Sequence, residues 1–151
     1  MRSVPVLAIS LWLGAMGFFA FLVAPAAFAT LEREAAGRFV SAVFPRYYLV
    51  GTVLGVIALA ACVGRAMLAG GRGWDWPLFG LVVLMLALTL YAWAVVLPDA
   101  HAAREAMRQP GADAAVSAAR FARLHRISGA LNGIVIIAGV VALALEVTRR
   151  P

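Results

Sequence analysis

Four long runs of apolar, uncharged residues alternate with polar connections along the chain. The runs are Val4–Ala29, Tyr47–Gly64, Trp76–Leu97 and Ile127–Leu145. A helix needs about 20 apolar residues to cross a bilayer, with a range of about 17–25. Each backbone polar group in lipid needs a partner within its own segment, so runs of this length predict helices. The pattern predicts an all-α protein, an integral membrane four-helix bundle that residues 1–151 form as one domain.

The first run also has some features of a cleavable secretory signal. It follows Arg2 and ends in the small-residue sequence "APAAFAT". The apolar core of such a signal spans about 7–15 residues. Since this run is longer, we expect a retained membrane-spanning helix.

The first two connections differ in character. Thr30–Phe44 begins with a potential helix cap at Thr30, has acidic residues in its first turn, and carries apolar residues on one helical face. This pattern predicts a short helix lying in the membrane interface. The glycine-rich Gly70–Asp75 predicts a tight turn.

The third connection predicts two helical pieces. We expect Pro98 to end the third span and Asp99 to cap a helix that continues to about Gln109. The pair Pro110-Gly111 should then break the chain. Asp113 should cap a second helix that runs directly into the fourth span.

Composition and charge support a membrane location. The 151 residues are 64% hydrophobic and 13% charged, which is too apolar for an ordinary soluble domain. The net charge of +6 comes from arginines in the connections, where membrane proteins place them, so nucleic acid is a poor candidate partner. The single cysteine, Cys62, cannot form a disulfide within the chain.

The distribution of arginines predicts an orientation. Four spans put both termini on one side of the membrane, and basic residues favour the cytoplasmic side. The side opposite the termini carries Arg33, Arg38, Arg46, Arg104, Arg108, Arg120, Arg123 and Arg126, against Arg2, Arg65, Arg72, Arg149 and Arg150 on the other. We therefore expect the two longer connections to lie in the cytoplasm.

Polar residues cluster at the end of the bundle that holds these longer connections, whereas the other end has little beyond the glycine-rich turn. In "FARLHRISGALNG", His125, Ser128 and Asn132 share one helical face. Asn132 should lie about 10 Å deeper than His125 and point into the bundle. Arg46, in "FPRYY", could bind an anionic headgroup or pair with Asp99.

Together these features define a candidate ligand site, with simpler roles left open for each residue. The site consists of Trp12 as floor, Tyr47 as wall, and Arg46, His125, Ser128 and Asn132, supported by Asp99, His101 and Arg123. Ser128 and Asn132 could instead only bond neighbouring helices, and Arg46 could only reach lipid phosphates. The indole N–H of Trp12 could donate to Asn132.

Small residues spaced by four predict close helix contacts. The pairs are Ser10 with Gly14, Gly51 with Gly55, and Gly129 with Gly133. This spacing lets two helix backbones approach each other. The contacts could form within the chain or in a homo-oligomer.

Catalytic and metal motifs are absent from the sequence. There is no CxxC or HxxxH pattern, nucleophile elbow, phosphate loop or carboxylate pair. We therefore expect no catalytic residues and no metal ligands. A His101 and His125 pair could in principle hold a haem.

Three stretches resemble the transmembrane protein 205-like family, small four-helix membrane proteins of bacteria and eukaryotes. The stretches are "LWLGAMGFFAFLVAPAAF", "AAGRFVSAVFPRYYLVG" and "FARLHRISGALNG". The marks are Trp12 with Gly14, Pro25 with Phe28, the "FP-YY" turn and the "LH-S-N" stripe. The family's vertebrate namesake is linked to tolerance of platinum drugs, so the resemblance implies handling of small molecules or soft metals.

A weaker architectural similarity connects the chain with copper-resistance membrane domains and with small four-helix protoporphyrinogen oxidases. The oxidases carry a histidine in their first helix, and this chain has none there.

Three functions remain open. The first is a protein of the bacterial inner membrane that binds a small or amphiphilic molecule, in transport or stress tolerance. A transporter with only four helices would need to form an oligomer. The second is a haem- or quinone-linked redox protein, and the third is a structural subunit of a membrane complex.

Overall fold

The computed structural model describes residues 3–68, 75–109 and 113–148. Four long helices make up nearly all of these residues: α1 (Ser3–Thr30), α2 (Arg33–Leu68), α3 (Trp76–Ala106) and α4 (Ala114–Thr148). Each is long and apolar enough to cross a membrane, and the described ranges contain no strand. The predicted all-α membrane bundle is confirmed, and the chain is an integral membrane protein.

The helices form a ring in chain order. α1 packs against α2 and α4, and α3 packs against the same two helices. Helices α2 and α4 therefore face each other across the bundle. They run parallel, because Tyr47 bonds Asn132 near one end and Arg65 bonds Glu146 near the other. The core between the helices contains Ile9, Trp12, Met16, Ala58, Leu78, Val82, Met85, Val135, Ala138 and Ala142.

The segment Thr30–Phe44 was predicted to form a separate interfacial helix, but from Arg33 onward it is the first part of α2. Helix α2 is continuous for 36 residues, or about 54 Å at about 1.5 Å per residue, and so extends well beyond a hydrocarbon layer of about 30 Å. Thr30 was predicted to cap a helix, and this prediction is wrong. Thr30 is the last residue of α1, and its hydroxyl donates to the Ala26 carbonyl at 2.7 Å. Only residues 31–32 separate the two helices.

The prediction that Pro98 ends the third span is wrong, because α3 continues through this proline to Ala106. A π-helical turn, Ala92–Val96, precedes Pro98, and the N–H of Leu97 bonds the carbonyl of Ala92, five residues back. The wider turn carries the helix past a residue that has no N–H of its own. Asp99 consequently lies inside the helix rather than at a cap.

Helix α1 uses the same arrangement. Its π-helical turn, Phe19–Val23, is followed by Pro25, and the N–H of Ala24 bonds the carbonyl of Phe19. In both helices a π turn thus precedes a proline, and the membrane-spanning helix continues past it.

The predicted cap of α4 is confirmed. The Asp113 carboxylate accepts from the backbone N–H groups of Ala115 at 3.0 Å and Val116 at 3.2 Å. The helix then runs without a break from this cap into the fourth apolar run. The predicted Pro110-Gly111 break and all but the last residue of the Gly70–Asp75 turn lie outside the described residues. Asp75 itself caps α3 by accepting from the N–H of Leu78 at 3.2 Å.

The indole of Trp12 lies against a glycine surface of α2. The side chain is 2% exposed. A Cβ added at Gly51 would come within 2.7 Å of the Trp12 Nε1, and one at Gly55 within 2.9 Å of the six-membered ring. The Gly51 and Gly55 pair therefore makes room for Trp12 rather than for another backbone.

The other predicted glycine contacts are not close within the chain. A Cβ added at Gly14, Gly129 or Gly133 would meet no atom within 4 Å. Gly139, which the spacing argument did not select, is tightly packed, with Leu13 at 2.7 Å and Met85 at 3.0 Å from an added Cβ. A spacing of four between glycines does not determine which face meets a neighbour.

From the sequence we expected little at the end of the bundle away from the predicted site beyond the glycine-rich turn. The structure instead has a cluster of charged side chains there. Arg65 of α2 pairs with Glu146 of α4 at 2.8 Å and lies 3.7 Å from Asp75. The side chains are 15%, 2% and 2% exposed in that order. Charges that mark the ends of separate apolar runs thus meet inside the bundle, because α2 and α4 run in parallel.

Replacing Gly51 by alanine should destabilise the protein. The new methyl group overlaps the buried Trp12 ring, and such overpacking costs about 1–3 kcal/mol. The Gly64→Ala variant of the same helix is the matched control, because its Cβ meets nothing within 4 Å. Thermal unfolding in one detergent compares the two, and equal melting temperatures would contradict the packing described for Trp12.

Candidate functional site

A cavity of about 410 Å³ opens at the end of the bundle where α1 meets α2. Its volume is in the range of small-molecule sites, about 300–1,000 Å³. Most of its wall is apolar, and α1 contributes only Phe28. The lining residues are Phe28, Arg33, Gly37, Val40, Ser41, Phe44, Tyr48, Val96, Leu97, Ala100, His101, Arg104, Met107, Phe121, Leu124, His125 and Ser128.

Two tyrosines of α2 and two polar residues of α4 close the inner end of the cavity. The hydroxyls of Tyr48 and Ser128 are 3.0 Å apart. Beside them, the Tyr47 hydroxyl donates to the amide oxygen of Asn132 at 2.8 Å, and the Asn132 amide nitrogen donates to the Ser128 carbonyl at 2.9 Å. These bonds form a connected polar floor between the two diagonal helices.

Aromatic rings hold this floor in place. Phe19 of α1 packs against Phe44 and Tyr47, with ring centroids 5.3 and 5.2 Å apart. Tyr48 stacks on Phe44 at 5.9 Å and meets Tyr47 edge-on at 5.2 Å. Contacts of this kind add to the packing energy beyond buried area, so the tyrosine hydroxyls have defined directions.

The outer part of the cavity is dominated by Arg104 of α3. Its guanidinium donates to the Gly37 carbonyl, to the Ser41 hydroxyl at 2.7 Å and to the Glu34 carbonyl at 3.4 Å. A Cβ at Gly37 would overlap the guanidinium, so this glycine lets Arg104 lie directly on α2. All three acceptors are neutral, and they orient the group without cancelling its charge.

Acidic groups near the cavity belong to other arginines. Glu34 pairs with Arg38 at 2.8 Å and with Arg108 at 3.0 Å. Asp99 pairs with Arg120 at 3.6 Å. Among the described residues, no aspartate or glutamate lines the cavity.

The sequence-predicted residues of α4 lie at this cavity. His125 and Ser128 line it together with His101 of α3, and His125 stacks on Phe121 with centroids 6.3 Å apart. Asn132 and Tyr47 lie just beneath, in the polar floor. Within the described ranges, no three His, Cys, Asp or Glu side chains come together as metal ligands would.

The remaining predicted residues lie elsewhere. Arg46 is exposed, donates to the Ala42 carbonyl at 3.2 Å and does not line the cavity. Asp99, its expected partner, pairs with Arg120, and Arg123 is exposed outside the lining. Trp12 packs against Gly51 in the core instead of forming the cavity floor, and Asn132 accepts from Tyr47 rather than from the Trp12 indole.

Four polar lining residues were missed in the sequence: Arg33, Ser41, Tyr48 and Arg104. Arg104 follows His101 by three positions and so shares its helical face, a signal that could have been used. The helix predicted from Asp99 to about Gln109 contains both residues, so this relation was available from the sequence. Tyr48 adjoins the selected Tyr47, and only the packing of Phe44 reveals that both ring hydroxyls point into the bundle.

The fold and this site define a class: a small integral membrane protein of four helices with a cavity at one end of the bundle. A family described as "Domain of unknown function (DUF4149)" matches residues 7–109, which include most of α1 and all of α2 and α3. This chain belongs to that family, whose function is uncharacterised.

One curated relative is an "Uncharacterized protein" of Aquifex aeolicus (strain VF5), 37% identical over 93 residues. The match covers 62% of this chain and 64% of the relative, so the chain spans less than two thirds of that protein's length. No solved structure matches. The comparisons therefore identify a family of unknown function and an uncharacterised bacterial relative.

The bond between Tyr47 and Asn132 should be measurable in a double-mutant cycle. Polar bonds between membrane helices average about 0.6 kcal/mol in such cycles, with a maximum of about 1.7. We expect Asn132→Leu to lower unfolding free energy and Tyr47→Phe to add little once Asn132 is replaced. Additive effects of the two substitutions, or a higher stability of Asn132→Leu, would contradict the floor described here.

Proposed function

We propose that this protein, in the inner membrane of a bacterium, binds an amphiphilic molecule in the cavity between α2, α3 and α4. The observation that supports this proposal is the polarity of the cavity wall. Apolar side chains such as Val40, Phe44 and Leu97 form most of the wall, and polar groups lie at its two ends and, as His101 and His125, about one helical turn from them. A molecule with an apolar tail and a polar head matches that distribution.

The depth of the cavity favours a ligand that comes from the lipid interface. The lining begins at Arg33 and Arg104, which lie outside the apolar runs of their helices, and it ends at Tyr48 and Ser128, within the first turn of those runs. The cavity thus spans the depth at which headgroups meet acyl chains. A lipid-like molecule could enter it without crossing the hydrocarbon layer.

The broader role we propose is transport of such molecules or tolerance of membrane stress. The resemblance of "FPRYY" and "LHRISGALN" to the transmembrane protein 205-like family supports this role through the link of its namesake to drug tolerance. Four helices enclose little space for a solute path, so transport would require a homo-oligomer.

Filling the cavity should abolish binding. In a neutral maltoside detergent, we would titrate the protein with dodecyl phosphate, dodecyltrimethylammonium and dodecanol and record melting temperatures. A ligand at about 100 times its dissociation constant stabilises by about 2.7 kcal/mol. Ala100→Trp, which places an indole in the cavity, should lose this stabilisation, because Ala100 lines the wall.

The matched control is Ala102→Trp. Ala102 lies on the same helix but is exposed and does not line the cavity. This variant should respond to the amphiphiles as the unmodified protein does. If none of the three amphiphiles shifts the melting temperature, or if Ala100→Trp responds normally, the proposed binding function fails.

A second candidate function is haem binding, favoured by one observation. His101 of α3 and His125 of α4 line the same cavity, and histidine is a common axial ligand of haem iron. A haem-bearing protein of this kind would carry electrons, in keeping with a redox role.

Haem binding predicts a visible Soret band in the purified protein, absent from the His125→Ala variant because one axial ligand is lost. Absorption spectra with metal analysis of the same samples test this. The Phe121→Leu variant, which removes only the ring stacked on His125, should keep the band. A colourless, iron-free protein isolated after expression with added haem would eliminate this candidate.

A further inference from the structure

We infer that the amphiphile is an anion whose headgroup lies against Arg104 and Arg33 and whose tail extends toward Tyr48 and Ser128. This inference rests on the proposed function and adds the charge of the ligand and its direction in the cavity. It is carried by the distribution of charge around the cavity.

Every ionisable side chain that lines the cavity, other than the hydroxyl of Tyr48, is basic. These residues are Arg33, His101, Arg104 and His125, and no carboxylate accompanies them in the lining. Arg104 is repelled by the neighbouring Arg108 and Arg38, and a bound anion would relieve that repulsion. A cationic ligand would add to it.

The nearby carboxylates supply this compensation only in part, because the charge of Glu34 acts on Arg104 but is outweighed by that of Arg108. Glu34 is shared by Arg38 and Arg108, and Asp99 is paired with Arg120. Arginines outside the lining therefore neutralise the acids next to the cavity. Neither Arg33 nor Arg104 forms an ion pair within the described ranges, so the two arginines of the lining keep their charge available for a ligand.

The guanidinium of Arg104 also retains hydrogen-bonding capacity. A guanidinium has five N–H donors. Three bonds to Gly37, Ser41 and Glu34 leave two donors without a partner among the described residues. A fixed guanidinium with free N–H groups suits the oxygens of a phosphate or carboxylate.

Arg33 lies on the same side of the cavity as this group. It precedes Gly37 by four residues on α2, so the two residues share a helical face one turn apart. Because Arg104 bonds the Gly37 carbonyl, both arginines border the same outer part of the cavity. Together they offer two positive charges to one headgroup.

The wall becomes apolar inward from this pair of arginines. Along α2 the lining passes through Val40 and Phe44 before it reaches Tyr48. The distance from Arg33 to Tyr48 is fifteen positions, or about 22 Å of helix at about 1.5 Å per residue. An extended alkyl tail lies along such a wall, with the polar floor at its tip.

Three amphiphiles with the same chain length and different headgroup charges test whether the ligand is an anion. In the melting experiment above, dodecyl phosphate should stabilise the protein at lower concentration than dodecyltrimethylammonium or dodecanol. Arg104→Gln should weaken the effect of dodecyl phosphate about tenfold, equivalent to about 1.4 kcal/mol. Arg126→Gln is the matched control, because Arg126 is exposed on the same membrane face and does not line the cavity.

Gly37→Ala provides a second variant that changes no charge. The added methyl group displaces the Arg104 guanidinium, the flexible end of a side chain, while alanine suits the helix at least as well as glycine. Binding of dodecyl phosphate should weaken although every arginine remains. This result separates a positioned arginine from a general attraction of the surface for anions.

The possible outcomes distinguish the inference from the function on which it rests. Equal stabilisation by dodecyltrimethylammonium or dodecanol, lost in Ala100→Trp, would overturn the inference that the ligand is an anion. The proposed binding of an amphiphile would then remain intact. Stabilisation by inorganic phosphate alone, as strong as that by dodecyl phosphate, would overturn the role of the tail. No response to any amphiphile would overturn both the inference and the function.

Discussion

Helices α2 and α4 are joined across the bundle by polar side chains, and the arrangement of the other helices depends on this connection. Burial of apolar surface does not drive helices together in lipid, because the lipid tails are equally apolar. Hydrogen bonds and ion pairs therefore contribute much of the specificity. Tyr47 and Tyr48 bond α4 at one end, and Arg65 bonds Glu146 at the other. Two points of attachment fix both the register and the parallel direction, and α1 and α3 fill the spaces on either side.

The cavity lies above the tyrosine floor, where the outer part of α1 packs against α2 but not closely against α4. Residues Ala24–Thr30 of α1 contact α2, and Phe28 alone of α1 lines the cavity. Arg104 and Arg108 join α3 to α2, and Asp99 of α3 pairs with Arg120 of α4. The same three helices bring the arginines of this end together. Apolar walls and excess positive charge thus have one structural origin.

The spans could be predicted from the sequence because a bilayer imposes a minimum apolar length, which four runs meet. The His125 and Ser128 face could also be predicted, since helical periodicity specifies which residues lie together on one helix. Contacts between helices could not be predicted in this way. Arg104 and Gly37 are 67 positions apart, and only three-dimensional packing shows that they touch. A helix end was misjudged at Pro98, because a proline does not always end a helix: α3 continues past Pro98 after a π turn, and α2 is continuous through Pro45.

The π turns of α1 and α3 also determine which way the outer parts of these helices face. A π turn takes up one residue more than an α-helical turn, so it changes the phase of everything beyond it by roughly 100°, the angle of one residue at 3.6 residues per turn. Without the turn at Ala92–Val96, Ala100 and Arg104 would be rotated away from α2 by more than a quarter of a circle. The side chains of the inner, apolar part of α3 and those of its outer, basic part thus follow two different helical phases. One inserted residue aligns both of them with the same neighbouring helices.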